Sequence, residues 1–183
     1  NKKKLSKILN INIENKTLLV TLHPTVFENK NVKYLTDDLL NAIEESNHQA
    51  IFTYPNSDIG NKIIIDKIKK FCKKQKKYIF IKFFTKEVYS NLLRNCSCMI
   101  GNSSSGIVEA ASFKLPVINL GIRQEGKIKP KNIINTNFSK KNILKAIKRA
   151  HGSKFRHNLK NIRNPYEKNL SINKICKFII SNY

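Results

Sequence analysis

Short apolar runs alternate along this chain with longer amphipathic stretches. The apolar runs predict buried strands at Thr17–Leu22, Ala50–Tyr54, Tyr78–Phe83, Cys98–Ile100, Pro116–Leu120 and Ile133–Ile134. The amphipathic stretches predict helices at Asp37–Ser46 (capped by Thr36), Asn61–Gln75, Lys86–Arg94, Gly106–Phe113, Lys140–Ala150 and Ile172–Ile180. Because strands and helices alternate, the pattern predicts βαβ units and an α/β fold with a parallel sheet covered on both faces.

Polar segments directly follow five of the predicted strands. They are His23-Pro24-Thr25, Pro55-Asn56-Ser57-Asp58, Phe84-Thr85, Asn102-Ser103-Ser104-Ser105 and Gly121-Ile122-Arg123-Gln124. Ligands of parallel α/β sheets bind beyond the carboxyl ends of the strands, where the strand order switches. We therefore expect these loops to form one binding site.

The serine-rich turn is the most informative of these segments. It leads from an apolar strand into a helical pattern, and its small residues let an anion approach the free N–H groups at a helix start. The turn matches neither the P-loop nor the dinucleotide-binding motif. It predicts a phosphate site at Ser104 and Gly106, although a serine cap on a helix that binds nothing explains both residues equally. Glu109, about one turn further on, is placed either to accept hydrogen bonds from sugar hydroxyls or to stabilise the helix dipole.

The charge is strongly positive, with 35 Lys and Arg against 12 Asp and Glu in 183 residues. Such a charge fits nucleic-acid binding, but the lysines are spread along the whole chain, which is typical of solvated surfaces. The apolar runs fall short of the roughly 20 residues of a membrane span, and a signal-peptide pattern is absent. The cysteines Cys72, Cys96, Cys98 and Cys176 lack zinc-site spacing. We expect a cytoplasmic domain that binds neither nucleic acid, membrane nor metal. Since the chain begins at Asn1, we also expect it to be part of a longer protein.

The chain resembles the carboxyl-terminal half of the hydrolysing UDP-N-acetylglucosamine 2-epimerases, from about Thr17 to about Tyr166. The matching segments are Val20–Pro24, Tyr54–Asp58, Ile100–Ile107, Pro116–Gly121, Arg123-Gln124 with Gly126, and Asn164–Tyr166. The resemblance implies a Rossmann-like, doubly wound parallel sheet forming one half of a two-domain glycosyltransferase-B fold. It divides the chain into a linker or leading helix (1–16), a UDP-binding domain (17–166) and a terminal crossover helix (167–183).

The resemblance also implies roles for individual residues. His23 matches the cleft histidine of the family, which has an acid/base role. The cationic form of this side chain would help a leaving diphosphate. Ser103, Ser104 and Gly106 match the diphosphate-binding turn, and Glu109 matches the ribose ligand. Further matches are Arg123 in the same pocket with Gln124 behind it, Asn56 at the nucleotide edge, and Phe84 beside the uracil. Phe84 is equally well explained as the last core residue of its strand, and Asn56 as an ordinary turn residue.

Three positions depart from the family pattern. Lys114 and Thr85 stand where the family usually has Gly, and Glu167-Lys168-Asn169 replaces its Gly-Asp-Gly. Because Gly tolerates a positive φ angle, we expect Lys114 to strain or shift its turn.

The implied activity is conversion of UDP-N-acetylglucosamine to UDP and N-acetylmannosamine, for sialic-acid-type sugar synthesis, without a metal or redox cofactor. The catalytic carboxylates belong to an amino-terminal half that this chain lacks, so the chain alone is expected to be inactive. Self-association is also expected. Three alternatives stay open: a different UDP-sugar such as a diacetamido-trideoxyhexose, a non-catalytic nucleotide-sugar-binding fragment, and a nucleic-acid-binding module.

Overall fold

Alternating strands and helices build one parallel sheet with helices on both faces. The structure, a computed structural model, describes residues 2–13, 16–25, 31–167 and 171–182. The strands are β1 (Thr17–Thr21), β2 (Gln49–Thr53), β3 (Tyr78–Ile81), β4 (Cys98–Gly101), β5 (Val117–Leu120) and β6 (Ile133–Thr136). The helices are α1 (Lys2–Leu9), α2 (Val32–Ser46), α3 (Asn61–Cys72), α4 (Lys86–Asn95), α5 (Ser104–Val108), α6 (Lys140–His151), α7 (Ser153–Asn158) and α8 (Ser171–Asn182), with a 3₁₀ turn at Ala110–Phe113. The strand order is β3-β2-β1-β4-β5-β6 and every pairing is parallel.

The two faces of the sheet carry separate halves of the core. Successive side chains of a strand point to opposite faces, so Leu18 and Val20 pack on one side and Leu19 on the other. Helices α2, α3 and α6 cover the first face, while α1, α4 and the 3₁₀ turn cover the second. Strands buried on both faces read as continuous apolar runs, which is why the sequence pattern predicted the inner strands β1, β2, β4 and β5.

Two predicted helices differ most from the structure, while the others differ at their ends by one to three residues. Helix α2 begins at Val32 rather than Asp37, and its cap is Asn31, whose side chain accepts a hydrogen bond from Lys33 N. Thr36, predicted as the cap, lies buried inside the helix and donates its hydroxyl proton to Val32 O over 2.7 Å. The predicted helix Gly106–Phe113 is instead α5 followed by the 3₁₀ turn.

The structure describes most of the residues near the two ends of the chain, where the sequence predicted a leading segment and a terminal helix. The leading helix is present as α1, with Leu5 buried but Ile8 exposed. The polar stretch from His151 to Asn164 contains α7. Residues 1, 14 and 15 of the predicted leading segment lie outside the described residues, as do 168–170 of the terminal segment. In the part of the chain that the structure describes, no helix has the length and apolar character that crossing a membrane would need.

Strands β1 and β4 approach each other closely at their carboxyl ends, which fixes the shape of that edge. Gly101 has a φ angle of 142° and lies beside Thr21 in the strand register. A Cβ atom on Gly101 would be 1.8 Å from the Thr21 carbonyl oxygen. Only glycine fits there, and the loops after β1 and β4 therefore start side by side.

Candidate functional site

The strand order reverses between β1 and β4, and the loops that follow these two strands form a crevice. From β1 the chain continues to β2 and β3 on one side, and from β4 to β5 and β6 on the other. The two connections diverge from neighbouring strands, which leaves an opening at the carboxyl edge of the sheet. The predicted site loops beginning at His23 and Asn102 lie on either side of that opening.

Asn102 holds the two loops together. Its side chain is fully buried, and its Oδ1 accepts a hydrogen bond from His23 N at 2.8 Å while its Nδ2 donates to His23 O at 2.9 Å. Sequence reasoning placed Asn102 in the site loop but gave it no role of its own. The available signal was an Asn just after a buried strand, because an amide side chain supplies both a donor and an acceptor from separate atoms.

The backbone oxygen of Asn102 fixes two more predicted site residues. It accepts hydrogen bonds from Arg123 Nη1 at 3.1 Å and from Gln124 Nε2 at 2.8 Å. Gln124 is buried, whereas Arg123 is half-buried with its guanidinium at the crevice. The loop after β5 is thereby attached to the loop after β4.

His23 is held in one tautomer and kept neutral. Its Nδ1 accepts a hydrogen bond from Asn56 N at 3.0 Å, so the ring proton of the neutral form sits on Nε2. Burial, and to a smaller extent the positive charge of Arg123, lower the pKa of His23 to about 4, while the negative charge of Asp58 opposes the shift. The cationic His23 expected from the resemblance is therefore not the form of the unliganded chain at neutral pH. Asn56 reaches His23 through its backbone, and its side chain donates to Asp58.

A cavity of about 370 Å³ occupies the crevice. It is lined by Pro24, Thr25, Asp58, Ser104, Arg123, Gln124 and Lys127. A cavity of about 460 Å³ lies beside α1, but none of its lining residues, Lys3, Ser6, Asn10, Ile11 and Asn12, is a predicted site residue. The crevice brings together two cationic side chains, a serine hydroxyl and the neutral His23 nearby, which suits an anionic group with oxygen atoms to be hydrogen-bonded.

The serine turn divides into residues that face the crevice and residues that build it. Ser104 is exposed and lines the cavity. Ser103 is the cap of α5, and its hydroxyl accepts from Ser105 N at 3.3 Å. Gly106 is buried with its N–H bonded to Ser103 O, and a Cβ there would be 3.0 Å from Val117 Cγ1. Its lack of a side chain thus lets α5 pack against the sheet.

Glu109 and Phe84 lie outside the lining of this cavity. Glu109 is exposed, and its Oε2 accepts a hydrogen bond from Ser105 Oγ at 2.7 Å. Phe84 is half-buried against the second face of the core, and its ring centre is 6.2 Å from that of Tyr89 in a tilted arrangement. These two residues belong to the neighbouring loops rather than to the walls of the crevice.

Lys114 stands where the family usually has glycine, and its backbone adopts the left-handed conformation that glycine favours. Its φ angle is 54°, and its N–H bonds to the carbonyl oxygens of Ala110 and Ala111. The turn is therefore not shifted, and the strain of a positive φ falls on the lysine backbone. Among the described residues, no three His, Cys, Asp or Glu side chains are grouped so as to hold a metal ion.

Comparison with known proteins identifies relatives of the chain. Residues 1–180 match the sequence profile of the family described as UDP-N-acetylglucosamine 2-epimerase. The polysialic acid biosynthesis protein P7 of Escherichia coli is 34% identical over 160 residues, which are 86% of this chain and 41% of that protein. The GDP/UDP-N,N'-diacetylbacillosamine 2-epimerase (hydrolyzing) of Campylobacter jejuni is 34% identical over 185 residues, covering 100% of this chain and 47% of that protein.

Solved structures share the fold. The UDP-GlcNAc 2-epimerase of Methanocaldococcus jannaschii, in complex with UDP-GlcNAc and UDP, superposes with a TM-score of 0.72 at 18% identity, over 98% of this chain and 49% of that one. Glycosyltransferases also have this fold, as one half of a glycosyltransferase-B architecture predicts. The chain spans about half the length of the relatives it matches. With its Rossmann-type sheet and a profile match along nearly its whole length, the chain belongs to the UDP-N-acetylglucosamine 2-epimerase family.

Proposed function

We propose that this chain is the UDP-binding half of a cytoplasmic, hydrolysing 2-epimerase that converts UDP-N-acetylglucosamine to UDP and N-acetylmannosamine. The observation that carries the proposal is the crevice between β1 and β4, where Ser104, Arg123 and Lys127 line one cavity beside His23. This cavity lies where the strand order of the sheet reverses, which is where ligands of parallel α/β sheets bind. The chain also belongs to a family named for a UDP-sugar epimerase.

The diphosphate is the part of the ligand that the crevice suits best. Arg123 and Lys127 supply two positive charges, and a guanidinium pairs with two phosphate oxygens at once. The exposed hydroxyl of Ser104 is free to rotate towards an oxygen of either phosphate. Asp58 also lines the cavity, and its carboxylate repels a phosphate that comes close to it. We therefore place the diphosphate towards Ser104 and Arg123.

His23 is proposed to donate a hydrogen bond to the leaving diphosphate. Its Nε2 carries the ring proton because Nδ1 is already bonded to Asn56 N. A nearby anion favours the charged imidazole, so the pKa of His23 rises from its low unliganded value when a diphosphate binds. The proton then becomes available as negative charge develops on the departing UDP.

The nucleoside is proposed to extend from the crevice towards α5 and the loop after β3. The exposed carboxylate of Glu109 would accept hydrogen bonds from the ribose hydroxyls, and Phe84 would pack beside the uracil. Asn56 contributes through the backbone contact that orients His23. These roles come from the family resemblance, and the exposure of Glu109 and the half-burial of Phe84 are compatible with them.

In the proposed reaction the proton at C2 of the sugar is removed and the C1–O bond to UDP breaks, leaving a 2-acetamidoglucal and UDP. Water then adds across the double bond with the opposite configuration at C2. The base and most contacts to the sugar would come from the other half of the protein. The 183-residue chain is therefore expected to bind UDP without turning over a UDP-sugar.

Calorimetric titration of the chain with UDP tests the nucleotide site. We expect Ser104→Ala, Glu109→Ala and Arg123→Gln to weaken UDP binding by roughly three- to thirtyfold each, since each removes one hydrogen bond or ion pair. Lys73→Ala, an exposed lysine after α3, is the control for the overall positive charge and should bind UDP as the unaltered chain does. Equal losses in all four variants, or binding of inorganic phosphate as tightly as UDP, would contradict a specific nucleotide site.

A second candidate substrate is a UDP-diacetamido-trideoxyhexose. It is favoured by the Campylobacter jejuni relative, which matches this chain along its whole length and is named for diacetylbacillosamine. Product analysis by NMR, using a protein that contains both halves, discriminates the candidates. Free N-acetylmannosamine from UDP-N-acetylglucosamine supports the first proposal, whereas turnover of only the diacetamido sugar supports the second. A product still attached to UDP would contradict hydrolysis.

A further inference from the structure

Tyr89 is connected to Glu109 through the hydroxyl of Ser105. The phenol of Tyr89 donates a hydrogen bond to Ser105 Oγ at 2.7 Å, and Ser105 Oγ donates to Glu109 Oε2 at 2.7 Å. A serine hydroxyl has a single proton, so accepting from Tyr89 leaves that proton to point at the carboxylate. Burial raises the pKa of the Tyr89 phenol, which therefore stays protonated and acts as the donor.

This chain of hydrogen bonds restricts the Glu109 side chain. Glu109 is exposed, and an exposed glutamate samples several rotamers whose loss on binding costs free energy. Anchoring Oε2 selects the rotamers that keep the carboxylate beside the first turn of α5. Because the Glu109 side chain is exposed, its other oxygen, Oε1, is accessible to a ligand. The anchor thus prepares Glu109 before anything binds.

Tyr89 also contacts the loop that precedes its own helix. Its ring lies against that of Phe84, with centres 6.2 Å apart, and its N–H bonds to Thr85 O at 3.0 Å. Thr85 is the cap of α4. Through its ring and its hydroxyl, the Tyr89 side chain therefore joins the loop after β3 to the first turn of α5.

We propose that Tyr89 is a positioning residue for the nucleoside, which holds Glu109 ready for the ribose hydroxyls through Ser105 and supports Phe84 beside the base. This inference rests on the proposed UDP site and adds to it a residue that makes no contact with the ligand. Tyr89 acts on the ribose part of binding, so its loss changes which nucleotides are preferred as well as how tightly they bind.

The test compares Tyr89→Phe with Tyr78→Phe in the full 183-residue chain. Both variants delete one phenol oxygen from a largely buried tyrosine, but among the described residues the Tyr78 hydroxyl has no hydrogen-bond partner. Calorimetry is carried out with UDP and with 2′,3′-dideoxyuridine diphosphate, which lacks the ribose hydroxyls. We expect Tyr89→Phe to weaken UDP binding by roughly three- to tenfold and leave the dideoxy compound unaffected. Tyr78→Phe should leave both unchanged.

A double variant separates action through Glu109 from general damage. If Tyr89 works through Glu109, then Tyr89→Phe adds little to the loss already caused by Glu109→Gln. The inference is overturned if Tyr89→Phe binds UDP normally while Glu109→Gln binds it weakly, because the UDP site then stands without Tyr89. It is also overturned if Tyr89→Phe weakens UDP and the dideoxy compound equally. Failure of the unaltered chain to bind UDP would overturn the proposed function together with this inference.

Discussion

At the scale of single residues, the crevice depends on groups that lie beneath it. Asn102 pairs with the backbone of His23 on both its N–H and C=O, and its own carbonyl oxygen positions Arg123. Gly101, one residue earlier, lets strands β1 and β4 meet without a side chain between them. Residues at the cavity are therefore positioned by Asn102 and Gly101, which contact other parts of the protein rather than the cavity.

Replacing Gly101 with alanine should be far more damaging than replacing another glycine of positive φ. Its Cβ would overlap the Thr21 carbonyl oxygen, and the two central strands would have to separate. We expect Gly101→Ala to lower the free energy of unfolding by at least about 3 kcal/mol. Urea unfolding followed by circular dichroism measures the loss.

Gly126→Ala is the matched control, because Gly126 has a φ angle of 78° but has open space where a Cβ would be. That variant should lose only about 1 kcal/mol, the cost of the backbone conformation. Similar losses for the two variants would mean that the close approach of β1 and β4 is not what requires glycine at position 101.

Lys114 is a site where a substitution should stabilise the protein. Its φ angle of 54° strains a lysine backbone, while glycine adopts that angle without strain but gains entropy in the unfolded chain. We expect Lys114→Gly to raise the free energy of unfolding by about 0.5–1 kcal/mol. Lys73→Gly, at the end of α3 with a φ angle of −69°, should lower it instead. A loss of stability in Lys114→Gly would contradict the argument from strain.

At the scale of elements, the strands were easier to predict than the helix starts. The four inner strands are largely apolar runs buried on both faces, and that burial decides their position regardless of the helices around them. The predicted start of helix α2 was wrong because Thr36 resembles a helix cap in the sequence. In the structure its hydroxyl instead donates a hydrogen bond to Val32 O, inside the helix. The true cap, Asn31, precedes Val32 and Leu35, which extend the apolar face of Leu39 and Ile43 by one helical turn. A cap depends on which backbone N–H groups are left unpaired, and the sequence alone does not reveal that.

The contact between the turn after α2 and the end of α6 should make the fold sensitive to acid. The rings of His48 and His151 stack with centres 4.7 Å apart. Burial lowers the pKa of both, and nearby positive charges, Lys77 and Lys16 for His48 and Arg156 and Lys16 for His151, lower them further. Below about pH 6.5 the unfolded chain therefore binds more protons at these histidines than the folded chain does.

It follows that stability is greatest above pH 6.5 and falls as the pH drops below it. We expect the midpoint of urea unfolding to be lower at pH 5 than at pH 7.5. The His48→Gln and His151→Gln variants should each show a smaller decrease than the unaltered chain, because each removes one of the groups that take up protons on unfolding. An equal midpoint at both pH values would contradict this account of the histidine pair.

At the scale of the whole molecule, the pattern of strands and helices predicts a parallel sheet but not the order of its strands. The order that places β4 beside β1, and with it the position of the crevice, is given by the structure. Within the candidate site, Ser104 and Arg123 could be predicted because they lie in loops that follow strands. Both line the cavity in the structure. The roles of Asn102 and Tyr89 were not predicted, because their contacts join residues that lie far apart in the chain.

A crystal structure of this chain grown with saturating UDP tests the central claim most directly. The account predicts that the diphosphate lies between the loops after β1 and β4, within hydrogen-bond distance of Ser104 and Arg123, with the ribose beside Glu109. UDP bound at another surface, or a crevice left empty at a concentration where calorimetry detects binding, would contradict it.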